Sequence, residues 1–170
     1  MNPINWPAPF HYREVKDINA FENESCFVLF NDGQELHGQL TSFFPEYSIL
    51  EIMTPNGHIS KPKLQFVNYL RLVHSVTFKN KDGLIDVGHG LISESPERQN
   101  CSVLFTNGQK LDGETIGFVI DKSGLYLFLA EASGTVIRYF IPTHAIKSYH
   151  IGDKIGQMLV KENIVMRKEI

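Results

Sequence analysis

Residues 26–38 (CFVLFNDGQELHG) recur 75 positions further on as residues 101–113 (CSVLFTNGQKLDG), identical at eight of the thirteen positions. An internal repeat constrains a fold more than any local propensity, because each copy must build a similar unit. This period is too long for a solenoid and suits two small modules in tandem. The kept residues are a cysteine, three apolar strand residues, a leucine, a glutamine and two glycines, whereas polar positions such as His37 and Asp112 drift. The duplication therefore preserves a hairpin and its core rather than a catalytic site.

Each copy reads as a succession of short strands. Cys26–Phe30 is β-rich and is followed by Asn31-Asp32-Gly33, a strong hairpin signal because Gly accepts positive φ without steric cost. A second strand runs from Glu35 to Phe43, with Gly38 inside it marking a bend or a close backbone approach. Pro45-Glu46 turns the chain into a third strand, Tyr47–Met53. Pro55-Asn56-Gly57 leads to a fourth near His58–Phe66, and Tyr69–Val73 closes the copy. The second copy follows suit: Val103–Phe105, the Asn107-Gly108 turn, Leu111–Phe118 with Gly113 inside it, Leu125–Leu129, the Ser133-Gly134 turn, Val136–Ile141 and Ile146–His150. Ile146-Lys147 is taken to answer Leu70-Arg71. Neither copy holds a helix-period run, so the body of the chain is expected to be all-β.

The flanks differ. Pro3, Pro7 and Pro9 make residues 1–20 an extended arm, whose Trp6, Phe10 and Tyr12 are expected to dock on the first module. The first module spans 21–78, a linker or hairpin 79–100, the second module 101–152 and a helical start of a following domain 153–170. In that last segment Ile155, Met158 and Leu159 fall at i, i+3 and i+4, the spacing of one apolar helix face, with Asp153 as cap.

Composition narrows the function classes. The formal charge is −3 and Lys and Arg are scattered, unlike the basic patch of a nucleic-acid binder. No segment approaches the ~20 apolar residues of a membrane span, and the N-terminus has no secretory pattern, so a cytoplasmic location is expected. Cys26 and Cys101 stand at equivalent positions and read as small buried core residues. The chain has no phosphate-loop, HExxH, GxSxG or CxxC motif, its Gly88-His89-Gly90 reads as a turn, and its histidines are dispersed. No enzyme activity, no metal and no cofactor is expected.

The strand order, with Val28-x-Phe30-Asn31-Asp32-Gly33-x-x-Leu36-x-Gly38 as first hairpin, resembles the SH3-like and Sm-like small barrels. That resemblance implies two tandem five-stranded barrels, with Gly33, Gly38, Gly108 and Gly113 as structural turn and bend positions. Residues 151–165 (IGDKIGQMLVKENIV) resemble the opening of the N-terminal domain of type II secretion and type IV pilus assembly ATPases. The resemblance implies a regulatory, protein-docking front end for such a motor, with a secretion or pilus component or an ATPase subunit as partner. It also implies a cyclic di-GMP motif at Lys154, Ile155, Gly156 and Leu159. Trp6, Phe43, Phe44, Phe118 and Tyr149 are the expected docking residues. The alternative is an Sm-like single-stranded RNA binder, stacking bases on Phe43, Phe44 and Phe118.

Overall fold

The computed structural model describes residues 4, 6–9, 12–15, 24–80, 98–132, 134–152, 154–156, 158–159 and 166–167. The strands are β1 (Tyr12–Val15), β2 (Glu24–Phe30), β3 (Glu35–Phe44), β4 (Ile49–Met53), β5 (Ile59–Ser60) and β6 (Val67–Asn80). Then come β7 (Gln99–Phe105), β8 (Lys110–Ile120), β9 (Gly124–Ala130), β10 (Val136–Pro142), β11 (Ile146–Ile151), β12 (Lys154–Gly156), β13 (Met158–Leu159) and β14 (Met166–Arg167). The chain is all-β across these residues, and no described helix is long and apolar enough to cross a membrane.

The repeated sequence builds repeated geometry. Gly33 and Gly108 turn the first hairpin of each copy at φ 88° and 89°. In both turns the residue before the glycine caps the loop: Asp32 Oδ1 accepts from the Gln34 N–H at 2.9 Å, and Asn107 Oδ1 from the Gln109 N–H at 3.0 Å. The second strands carry a bulge at the same place, between Leu40 and Ser42 and between Thr115 and Gly117. Each closing strand follows a one-turn 3-10 segment, Leu64–Phe66 or Thr143–Ala145. Its first carbonyl neighbour holds the hairpin: the Asn31 N–H donates to Phe66 O, and the Thr106 N–H to Ala145 O.

Twelve of the described strands form one sheet in the order β12-β11-β7-β8-β9-β10-β6-β2-β3-β4-β5, with β1 added on β6. Within each copy the closing strand lies beside the first. The copies join where β10 pairs antiparallel with β6, setting Phe140 opposite Leu70, Tyr139 opposite Arg71 and Arg138 opposite Leu72. The sheet buries opposite faces on the two sides of this seam. The first core contains Val28, Leu40, Phe43, Ile52, Leu70 and Leu72 together with Ile116, Tyr126, Phe128, Val136 and Phe140 of the second copy. The second core is formed by Val103, Phe105, Leu125, Leu127, Ile141, Tyr149 and their neighbours. Strand β9 therefore has both faces covered, which explains its unbroken apolar run.

Several expectations are corrected. The fourth strand of the first copy is not the long segment near His58–Phe66: β5 is two residues long and ends at Lys61-Pro62-Lys63, where proline withholds a ladder donor. The closing strand β6 is longer than expected and runs to Asn80. Register shows that Leu70-Arg71 answers Tyr149-His150, not Ile146-Lys147, because Val28 and Val103 are their respective partners. The expected terminal helix is absent at 154–156 and 158–159, which are strands. There Gly152 turns the chain at φ 56° and lets Lys154–Gly156 pair with the edge of β11, satisfying backbone groups that a two-turn helix would leave unpacked. The arm docks across both copies rather than on the first alone: Trp6 lies 5.2 Å from Phe43 and 5.4 Å from Tyr126 between ring centroids. Part of it, Tyr12–Val15, is a strand on β6. Of the linker or hairpin expected at 79–100, residues 79–80 and 99–100 are strand and residues 81–97 lie outside the described residues. In the helical start expected at 153–170, Met166–Arg167 is strand as well, and residues 160–165 and 168–170 lie outside the described residues.

Candidate functional site

Two of the five residues expected to dock a partner are buried and three are half-buried. Phe43 is 0% exposed and Tyr149 3%, and both belong to the cores. Phe118 packs half-buried against Tyr149, 6.4 Å between ring centroids. Trp6 is half-buried and fills the gap between Phe43 and Tyr126. Phe44 is half-buried at the end of β3, opposite the exposed Ile49. Lys154, Ile155 and Gly156 are held in β12 against β11, and Leu159 pairs with Met166, so these four do not share one helical turn. Of the strand glycines, Gly38 is required by a close approach: a Cβ there would press on the Met53 carbonyl oxygen and come within 2.6 Å of Ile52 Cγ2. Gly113 leaves room, with Leu129 Cδ1 at 3.5 Å.

The structure instead brings together residues that the sequence reading did not combine. A cavity of about 270 Å³ opens at the first hairpin, lined by Phe30, Asn31, Asp32, Gln34 and Phe66. Strand β2 delivers Phe30, the hairpin turn delivers Asn31, Asp32 and Gln34, and the 3-10 turn before β6 delivers Phe66. Phe66 is 52% exposed, which leaves much of its ring open at the edge of the cavity. In the second copy the equivalents of Phe30 and Phe66 are the buried Phe105 and Ala145, the latter 0% exposed.

Hydrogen bonds tie the walls of the cavity together. Asn31 Nδ2 donates to Gln65 O at 3.1 Å, and Asn107 Nδ2 of the second hairpin donates to Asn31 O at 3.1 Å. Buried Asn68 donates through Nδ2 to Gln109 Oε1 at 3.2 Å. His144 Nε2 donates to Leu64 O at 2.5 Å, and burial pushes the His144 pKa below its ordinary value despite this bond. Further along the seam, buried Arg138 places Nη2 3.1 Å from both carboxylate oxygens of Glu24. These contacts fix the two hairpins side by side, so the cavity has preformed walls. Asn31 Oδ1 is buried without a hydrogen-bond partner.

Among the described residues no three His, Cys, Asp or Glu side chains gather to hold a metal ion. Cys26 and Cys101 are free and buried, and burial pushes their thiols up to about 12 and about 11. Thiols so placed are poor nucleophiles near neutral pH. The signal that would have exposed the cavity was in the sequence: aligning the 3-10 turns puts Phe66 against Ala145, a difference hidden when the closing strands are aligned three residues out. Compared with protein-family models, with curated proteins and with solved structures, the chain matches none.

Proposed function

We propose that the chain is a non-catalytic docking module that takes an apolar side chain of an extended partner polypeptide into the cavity at the first hairpin. The observation that carries this reading is Phe66: a half-exposed ring at the edge of a cavity, where the second copy has the buried Ala145. Phe30 and Phe66 give the cavity an apolar floor, and Asn31, Asp32 and Gln34 give it a polar rim, the usual composition of a specific pocket. The shared order of strands in the two copies, β6-β2-β3-β4-β5 and β11-β7-β8-β9-β10, supports reading each repeat as a small five-strand unit of the SH3-like or Sm-like kind. Two buried free thiols fit a reducing compartment such as the cytoplasm.

A place at the front of a secretion or pilus motor rests on residues 151–165 alone. The strands at 154–156 and 158–159 do not supply the capped helix that this resemblance implies, so the proposal is kept to docking. The test is selection of a displayed peptide library against the wild-type chain and against Phe66→Ala. Enriched peptides should bind the wild type at least about tenfold more tightly, the scale of a lost anchor residue. Peptides that bind both chains equally contradict the reading. So does submicromolar, steeply salt-dependent binding to a single-stranded RNA 12-mer, which would favour the Sm-like alternative.

A further inference from the structure

The seam between the copies is a strand-on-strand contact of defined register, and the repeat predicts where a second such contact would form. On β6, the residues facing β10 are Leu70, Arg71 and Leu72. These pair on their other side with Val28, Phe27 and Cys26. In the second copy, Val103, Ser102 and Cys101 pair with Tyr149, His150 and Ile151. Tyr149, His150 and Ile151 are thus the counterparts of the three residues that hold β10. The chain's own β12 occupies these same three: Gly156 lies opposite Tyr149, Ile155 opposite His150 and Lys154 opposite Ile151, antiparallel as β10 is.

We propose that β12 is a removable placeholder on a strand-addition site, and that the site accepts an extended segment of a partner protein with apolar residues at alternate positions and a carboxylate between them. The site lies on the second copy and goes beyond the cavity at Phe66. Among the described residues the placeholder pairs over three positions, next to a turn at Gly152. Glycine stands opposite Tyr149 where, on the seam, Phe140 stands opposite Leu70. A longer strand with side chains on both sides of the ladder gains more backbone bonds and more apolar contact. Tyr149 and Ile151 are buried in the second core, which calls for apolar neighbours, and Lys147 and His150 on the same strand are exposed, which calls for a carboxylate opposite His150.

The opposite end of the sheet argues against a second copy as occupant. By register, Ile59 pairs with Met53 as Val136 pairs with Ala130, so Pro62 stands where Tyr139, the middle residue of the seam, stands in the second copy. A two-residue strand followed by Lys61-Pro62-Lys63 is a blunted edge. It lacks the strand that a head-to-tail neighbour would have to present to β11.

The test uses the full chain and a fluorescein-labelled peptide, KVTFEVTK, whose central FEV run can lie opposite Ile151, His150 and Tyr149. Gly156→Pro removes a backbone donor from β12 and should release it. His150→Cys with Ile155→Cys should lock it, because directly opposed antiparallel residues lie about 4.5–5.5 Å apart, within disulfide reach. By fluorescence anisotropy, Gly156→Pro should bind the peptide at least about tenfold more tightly than wild type. The oxidised locked chain should not bind, and reduction should restore binding. Equal affinity of Gly156→Pro and wild type, or of the oxidised and reduced locked chain, overturns the proposal. Self-association of Gly156→Pro without peptide, seen by sedimentation, also overturns it by assigning the edge to a second copy. None of these outcomes touches the cavity at Phe66, which lies on the other repeat.

Discussion

Strands β4 and β9 hold the same place in the two copies and live in different surroundings. In β4, ILEIM, only Leu50 and Ile52 are buried; in β9, GLYLFLA, every residue but the last is buried. The register makes Glu51 the counterpart of Phe128, since Ser42 and Gly117 are their equivalent partners. Glu51 reaches an exposed Lys61 at 3.4 Å, whereas Phe128 is fully inside the first core. The difference comes from position in the assembled sheet. The second copy lends its outer face to complete the core of the first, and no described residue does the same for the outer face of β4. Duplication gave two similar hairpins, and edge-to-edge joining gave them unequal duties.

This comparison can be broken by substitutions at matched positions. The largest expected contrast is Phe128→Ala, which should cost about 4 kcal/mol by emptying a shared core, against Glu51→Ala, which should cost under about 1 kcal/mol as a surface ion pair. Urea unfolding of both variants checks it; similar costs would refute two-sided burial of β9. Next, Gly38→Ala should lose about 3 kcal/mol because the added methyl meets backbone. Gly113→Ala should be neutral or slightly stabilising, because its site has room and alanine has the smaller entropy cost. Chemical denaturation of the pair separates the copies again. Glu24→Ala should cost about 2–3 kcal/mol by leaving buried Arg138 without its carboxylate, while Glu24→Ala with Arg138→Met should recover most of it.

The smallest contrast is in pH. The first copy has Gln65 where the second has His144. Because the folded-state pKa of His144 is lowered, its contribution is fully present above the ordinary histidine value of about 6.5 and is lost as pH falls through and below it. His144→Gln, which installs the sister residue, should flatten stability over pH 7 to 5 in thermal melts; an unchanged slope would assign that dependence elsewhere.

The hairpins were legible because Gly33 and Gly108 signal their turns locally, and the apolar run Leu125–Leu129 already signalled a strand. The β6–β10 seam was not legible, since each strand taken alone has an ordinary apolar pattern and only assembly decides which edges meet. Proline at position 62 carries the information that the fourth strand stops early. At Ile155, Met158 and Leu159 a helical spacing coincided with residues that pair as strand once β11 offers an edge. The cavity was hidden for a related reason: Phe66 reads as a core aromatic until the 3-10 turns are aligned and Ala145 appears opposite it.

The central claim is that the two copies form one cooperative unit through the seam and the shared first core. Native-state hydrogen exchange of the full chain tests it most directly, by comparing the slowest amides of β2 and β6 with those of β7 and β9. The account predicts a single free energy of opening for both groups, falling together in Phe128→Ala. Two separate values, with the first-copy amides unaffected by Phe128→Ala, would contradict it.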